Sequence, residues 1–287
     1  PELQQEMTAV AAGAEVSLGS VLLLNVVDDL ANNCPLCSAL AVENPPGTFL
    51  MGRNLDYPVF TDPLTRFQTL FLLEPHRGQP LASLAWPGYV GVCTGINFAG
   101  VALAQLSAMS RDHSLRGTPA ALRYRQALEE GHTVAEVAAQ VLKRPGTIGN
   151  NLILCGPADA MVLELTARHG AVRRPARGLL TVTNHFQSRT MQGVKGRFPR
   201  RPPYSVLSLY HFSEDYSQAR NRRLQHLARH HPLGPEDLQR ILADHDIANA
   251  GTAVSAVFSP AGRRLWVARS RIPPVSRGPF MSVKLWD

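Results

Sequence analysis

A cysteine, an arginine and an aspartate give this chain its most concentrated chemistry: Arg53 follows Cys37 by 16 residues and Asp56 follows it by 19. Sulfur attacks a carbonyl carbon as the thiolate, and a neighbouring guanidinium favours that form. A carboxylate at Asp56 can hold an ammonium or order the arginine. The same three residues also suit a surface ion pair beside a buried thiol, so the elements that carry them matter. Cys37 to Glu43 alternates as a strand, Asn44-Pro45-Pro46-Gly47 is a turn, and Thr48 to Met51 runs back toward Gly52-Arg53-Asn54-Leu55-Asp56. Closing that hairpin brings the start of one strand, at Cys37, beside the end of its partner, at Arg53 and Asp56.

The other cysteines are at 34, 93 and 155. Four in a chain of this length do not make a disulfide scaffold, and Cys93 and Cys155 sit in apolar runs where a thiol behaves as a small hydrophobe. Cys34-Pro35-Leu36-Cys37 reads as C-x-x-C, but no second ligand pair completes a zinc site, and a redox pair of that form would open a helix, whereas Cys37 opens a strand.

Around the hairpin the chain alternates in blocks. Helical spacing covers 4–12 and 17–29, the second capped by Ser17 and broken by Asn32, Asn33 and Pro35. Strand-like runs at 67–74, 81–86, 90–96 and 101–107 read as an antiparallel sheet. Helices at 118–128 and 132–143 follow, then strands at 150–156, 160–166, 171–174 and 178–184, helices near 216–229 and 235–243, and strands at 253–258, 263–268 and 280–286. Blocks of this kind predict an α+β fold of two stacked antiparallel sheets with helices outside, an αββα sandwich. The Arg/Pro stretch from Gly193 to Pro203 reads as a surface loop.

The segment CSALAVENPPGTFLMGRNLDYP resembles the start of the catalytic chain in the N-terminal-nucleophile (Ntn) family of choloylglycine hydrolases, acid ceramidase and N-acylethanolamine-hydrolysing acid amidase, which carry a G-R-N-x-D-like segment at these offsets. The upstream EMTAVAAGAEVSLGSVLLLNVVDDL and the tail AVFSPAGRRLWVARSRIPP resemble bacterial proteins akin to penicillin acyltransferase. The resemblance implies a four-layer Ntn-hydrolase domain over 1–287, cut between Leu36 and Cys37 into a pre-cleavage segment, 1–36, and a catalytic segment, 37–287. It implies that Cys37 is the nucleophile and its freed α-amine the base, with no metal or cofactor. Arg53 would hold the sulfur or α-amine region and Asp56 the ammonium. Asn184, in LTVTNHF, would donate to the oxyanion, and a later arginine, Arg220 ahead of Arg223, would complete the set. His185 invites a Cys–His pair, but a histidine base would compete with the α-amine. Ser107 stands where choloylglycine hydrolases carry a further asparagine, a departure that weakens bile-salt specificity.

These features imply hydrolysis of a linear, apolar acyl amide through a Cys37 thioester. The alternatives are an acyltransferase of the penicillin-acyltransferase kind and a non-catalytic binding module on the same scaffold. The net charge of +7 is spread over many arginines, with 7% aromatics and no zinc-finger or RNA-binding signature, which argues against nucleic acid. A basic surface is compatible with peripheral contact at an anionic lipid interface, and a homo-oligomer is open. No apolar run approaches the roughly 20 residues of a membrane-spanning helix, and the compartment is open. Pro1 is not an initiating Met, so trimming upstream is expected.

Overall fold

Alternation decides the architecture. In β1 (Ser38–Glu43) Ala39 and Ala41 point into one apolar cluster while Leu40 and Val42 point into another, as the two-residue repeat of a strand requires. The computed structural model describes residues 2–31, 36–58, 60–198, 213–229 and 232–286. β1 pairs antiparallel with β2 (Phe49–Asp56), Ala39 lying opposite Arg53. Gly47 closes their turn at φ 84°, a left-handed conformation that glycine adopts without steric cost.

Six strands form the first sheet. β1 is flanked by β10 (Leu179–Val182), and β2 by β11 (Thr252–Ser259), followed by β12 (Arg264–Ala268) and β13 (Phe280–Lys284). The second sheet runs β3 (Thr69–Leu73), β4 (Leu81–Ala85), β5 (Thr94–Asn97), β6 (Ala102–Ser107), β7 (Asn150–Cys155), β8 (Ala160–Leu165), β9 (Gly170–Arg173) in simple sequence order. Both are antiparallel throughout. Ala39, Ala41 and Met51 of the first sheet meet Ala102, Ala104 and Ile153 of the second. The outer faces are covered by helices. α4 (Ala120–Glu130) and α5 (Val134–Lys143) bury Tyr124, Leu128, Val137 and Val141 on Leu103, Leu152 and Leu163 of the second sheet. α6 (Glu214–Leu227) and α7 (Pro235–Ala243) bury Leu224, Leu238 and Leu242 on Leu40, Val42 and Val257 of the first. The layers are those of an αββα sandwich.

Two helices precede the hairpin, α1 (Glu2–Gly13) and α2 (Leu18–Ala31), and pack with Val90 and Leu122 in a cluster of their own. Two buried polar side chains fix α2 to the rest of the chain. Asn25 donates to Gly88 O and accepts from the Val90 and Gly91 amides at 2.7 and 3.0 Å. Asp29 accepts from Thr147 Oγ1 and, at 3.0 Å, from the Ala120 amide, supplying the start of α4 with the anionic cap that Pro119 cannot provide.

Two details differ from the expected elements. Residues 90–93 are not strand: the Val90 and Gly91 amides go to Asn25 and the Val92 amide goes to Ala121 O, so the pairing with β6 reaches back no further than Cys93 O, which accepts from the Gln105 amide at 2.9 Å. A short helix that no expected element covers, α3 (Thr61–Arg66), precedes β3; Pro63 is tolerated there because a helix's first amides have no intrahelical partner. Cys34 and residues 199–203 of the Gly193 to Pro203 stretch lie outside the described residues.

Candidate active site

The hairpin register places Cys37 just before β1 pairs with β2, at the edge of the gap between the two sheets. Its thiol is 7% exposed and donates to Asp56 O at 3.9 Å. Arg53 is fully buried and crosses from the first sheet to the second, donating to Thr94 Oγ1 of β5 and, at 2.8 Å, to Gln105 O of β6. Asp56 ends β2 opposite a β-bulge at Thr252–Val254, and bulges re-aim side chains. Its Oδ2 accepts from Asn249 Nδ2 at 2.7 Å, while Oδ1 is buried with no hydrogen-bond partner among the described residues. Such an orphan acceptor costs about 1–3 kcal/mol and calls for a reason.

A second group converges on the peptide just before β1. Arg220, on α6, is fully buried beneath the Tyr216 ring, 4.9 Å from its centroid. Its Nη1 donates to Leu36 O, to Cys37 O at 2.8 Å and to Ser38 Oγ at 2.9 Å, and its Nη2 donates to Asn184 Oδ1 at 2.9 Å. Asn184 is locked from three sides: its amide nitrogen donates to Ser107 O, its backbone N–H to Ser217 Oγ, and its oxygen accepts from Arg220. Asn151 of β7 holds the same segment by donating to Thr183 O and His185 O.

Burial dominates the electrostatics. It pushes the Cys37 thiol up to about 11; the Asp56 charge adds to the rise, while Arg53, Arg220 and the Asp56 carbonyl hold it back. The guanidiniums therefore do not yield a standing thiolate, and an attack by this sulfur would require a base. Burial also raises Asp56 to about 6 against the lowering effect of Arg220, Thr252, Asn249 and Arg53.

The thiol opens on a small cavity lined by Cys37, Arg53, Asp56, Gln105, Ser107 and Asp28. Asp28, Leu55, Tyr57 and Cys93 line both it and a second cavity of about 720 Å³. The larger space is walled by Leu23, Leu24 and Val27 of α2, by Phe60, Leu64 and Phe67 around α3, and by Trp86 and Tyr89. That volume and apolar lining suit a small-molecule ligand.

The family model for acyl-coenzyme A:6-aminopenicillanic acid acyl-transferase matches residues 42–270, most of the chain. The chain belongs to this family. Acid ceramidase from Bos taurus is 27% identical over 104 residues, 32% of this chain and 26% of that protein, so the chain spans about a quarter of that curated relative. Among solved structures, the Caenorhabditis elegans N-acylethanolamine-hydrolyzing acid amidase ortholog superposes with a TM-score of 0.58 at 17% identity, covering 78% of this chain and 93% of that one. A conjugated bile acid hydrolase variant from Clostridium perfringens superposes with 0.58 at 12% identity, covering 86% and 92%. These identities show a shared fold, that of the Ntn hydrolases.

Within this acyl-transferase family member the remaining sequence candidates separate. Ser107 lines the small cavity and receives the Asn184 amide through its carbonyl. His185 Nδ1 meets Ser217 Oγ at 2.8 Å and Thr183 Oγ1 at 3.2 Å, and burial lowers its pKa to about 4, which leaves the ring neutral near pH 7. Arg223 is one turn from Arg220 on α6 but pairs with Asp244 at 2.6 Å and Asp246 at 3.6 Å instead of joining the thiol. Asp244, His245 and Asp246 bring three metal-ligand atoms together, and Arg223 already pairs with both carboxylates. Cys155 is core, whereas Cys93 is buried on a wall of both cavities. No helix among the described residues is long and apolar enough to cross a membrane.

Sequence reasoning missed Asp28, Tyr57, Thr94, Gln105, Ser217 and Asn249. Asp28 carried a readable signal. Two adjacent carboxylates close an otherwise apolar helix, at the end where the helix dipole disfavours negative charge, and such a local conflict marks a residue kept for another reason. Burial, with the Asp29 charge, raises Asp28 to about 6, although Tyr57 Oη donates to its Oδ1 at 2.9 Å and Arg53 lies near. The folded chain holds that proton more tightly than the unfolded one. Stability from this group is therefore complete below about pH 4 and is lost as pH rises through about 6. Asp28→Asn keeps an acceptor for Tyr57 and cannot ionise. Denaturant midpoints are expected to show the variant about 1–3 kcal/mol more stable than wild type near pH 8, with the gap closing near pH 4.

Proposed function

We propose that this family member is a self-cleaving cysteine amidase, in which scission between Leu36 and Cys37 frees the α-amine that activates Cys37 toward linear, apolar acyl amides. In the first step Cys37 Sγ attacks the Leu36 carbonyl carbon, the C–N bond breaks with the thiol proton passing to nitrogen, and water hydrolyses the thioester to a Leu36 carboxylate. In turnover the α-amine takes the thiol proton and sulfur attacks the acyl carbonyl. The amine product leaves with a proton, and water releases the acid. The observations that carry this reading are that the Cys37 thiol donates to the Asp56 backbone carbonyl, that Asp56 Oδ1 is buried without a hydrogen-bond partner among the described residues, and that Arg220 grips the Leu36 carbonyl oxygen. A guanidinium on that oxygen stabilises the charge that grows there, and Asp56 Oδ1 is a ready acceptor for the new ammonium. Asn184, fixed by Arg220 and Ser107, is assigned to the oxyanion of the substrate.

The continuity of the thiol's pocket with an apolar cavity supports an aliphatic or aromatic acyl group, and the acid ceramidase and acid amidase relatives favour hydrolysis. A transferase is favoured by the name of the matching family model. Both share the thioester, so partition decides: supplied with an acyl amide and a competing amine, the enzyme is expected to release mainly free acid, read by mass spectrometry. Exchanged amide in excess of acid would establish the transferase instead.

A further inference from the structure

Four residues, Asp28, Leu55, Tyr57 and Cys93, line both cavities and so form the throat between them. The space at the thiol is only about 20 Å³, room for roughly one water-sized group. An acyl carbonyl at Cys37 fills it, and the next one or two carbons of the chain already stand in the throat. Asp28 is the one carboxylate among those four residues. Tyr57 Oη donates to its Oδ1 at 2.9 Å, and its side chain makes no other hydrogen bond among the described residues, so lone pairs stay open toward the passage. A plain alkyl chain strips water from that carboxylate and puts only methylenes in its place, at a cost that a chain with its own donor avoids.

We propose that Asp28 is a specificity-determining residue for the acyl group, contributed from the N-terminal side of the Leu36–Cys37 bond, and that it selects amides whose acyl chain carries a hydroxyl on its second or third carbon. The inference rests on the reading of Cys37 as an amide-cleaving nucleophile and of the larger cavity as the acyl site. The hydroxyl donates to the open carboxylate oxygen in place of the lost water, a charge-assisted hydrogen bond, and the rest of the chain continues among Leu24, Val27, Leu64 and Trp86. An unsubstituted chain leaves the acceptor unpaired, and a site built to bind a hydroxyl discriminates strongly against the analogue that lacks it. A cationic substituent in the same place meets Arg53, whose charge already acts on Asp28, which leaves a neutral hydroxyl as the fitting donor.

The test compares kcat/KM of the full, self-processed protein on N-(2-hydroxydodecanoyl)ethanolamine, N-(3-hydroxydodecanoyl)ethanolamine and N-dodecanoylethanolamine near pH 7.5, above the value of about 6 to which burial raises Asp28. The three share amine and chain length, so only the hydroxyl differs. Wild type is expected to prefer one of the hydroxylated amides over the plain one by about 30-fold, the rate equivalent of one buried acceptor left unpaired. Asp28→Leu is expected to bring that ratio within about threefold, chiefly by raising kcat/KM on the plain chain, a gain that damage to the fold would not produce. Circular dichroism establishes that the variant is folded, and the wild-type ratio stands as a test without any variant. A wild type that prefers neither hydroxylated amide, or a folded Asp28→Leu that keeps the wild-type ratio, overturns the role of Asp28 and leaves the amidase reading intact. Self-processed protein that cleaves none of the three removes the acyl chain from the larger cavity and this inference with it. A wild-type protein that processes itself at no site and cleaves no amide overturns the amidase reading itself.

Discussion

Under the proposed mechanism, Cys37→Ala is expected to yield one chain of 31.3 kDa, where the wild-type protein is expected to yield two that part between Leu36 and Cys37, and to abolish amide turnover. The change removes one sulfur from a site that is already 7% exposed and that a small side chain fills well, so the cost in stability is about 1 kcal/mol and the variant folds. Loss of activity is then a loss of chemistry, on the order of 10⁴-fold or more, as for other enzymes deprived of their nucleophile. Intact mass on a denaturing column reads the scission, and acid release from an acyl amide reads the turnover. A single uncut species that still cleaves amides at the wild-type rate would exclude the proposed mechanism.

Arg220→Met carries the second large effect. The side chain is close in length but leaves Leu36 O, Cys37 O, Ser38 Oγ and Asn184 Oδ1 without the donor they share, inside a site with no water-facing escape. Losing several charge-assisted hydrogen bonds at once is expected to lower stability by about 3 kcal/mol or more, seen as a fall in the urea midpoint. It is also expected to slow scission by about 10²–10³-fold, since the Leu36 carbonyl loses the cation that would stabilise its oxyanion. The two losses separate when scission is timed on protein that circular dichroism shows to be folded. Folded Arg220→Met that cuts itself at the wild-type rate would remove Arg220 from the scission mechanism. Arg223→Met provides the contrast: its partners Asp244 and Asp246 lie at the rim of the helix, and its loss leaves the Leu36 carbonyl held.

Most of the layering was legible because strands buried on both faces read as short, largely apolar runs bounded by turn residues and helices repeat with a period near four, so Ser38 to Glu43, Asn150 to Cys155 and Pro235 to Ala243 announce themselves. The hairpin likewise makes the Cys37, Arg53 and Asp56 neighbourhood legible, since all three lie within one local turn of chain. What was not legible depends on distant partners. Asp28 meets Tyr57 across 29 residues, Arg53 is anchored by Thr94 and Gln105 from the opposite sheet, and Asp56 is aimed by a bulge in β11. Residues 90–93 have strand composition, yet a buried asparagine 65 residues earlier claims the Val90 amide. Composition cannot register such competition for a single N–H. The preference for Arg220 over Arg223 rested on the family resemblance alone, because nothing local in the sequence says that a three-residue step along α6 turns one toward the peptide and the other toward acidic partners.

The helix that bears Leu23, Leu24 and Val27 is bolted down by Asn25 and Asp29 to backbone groups of the later chain. A cut after Leu36 would therefore turn one wall of the apolar cavity into a separate molecule held only by noncovalent seating. The fit of a substrate would then depend on the packing of Leu3, Met7 and Val21 against Val90 and Leu122, residues that never approach the sulfur. Any loosening of that remote packing would widen the channel and wet it.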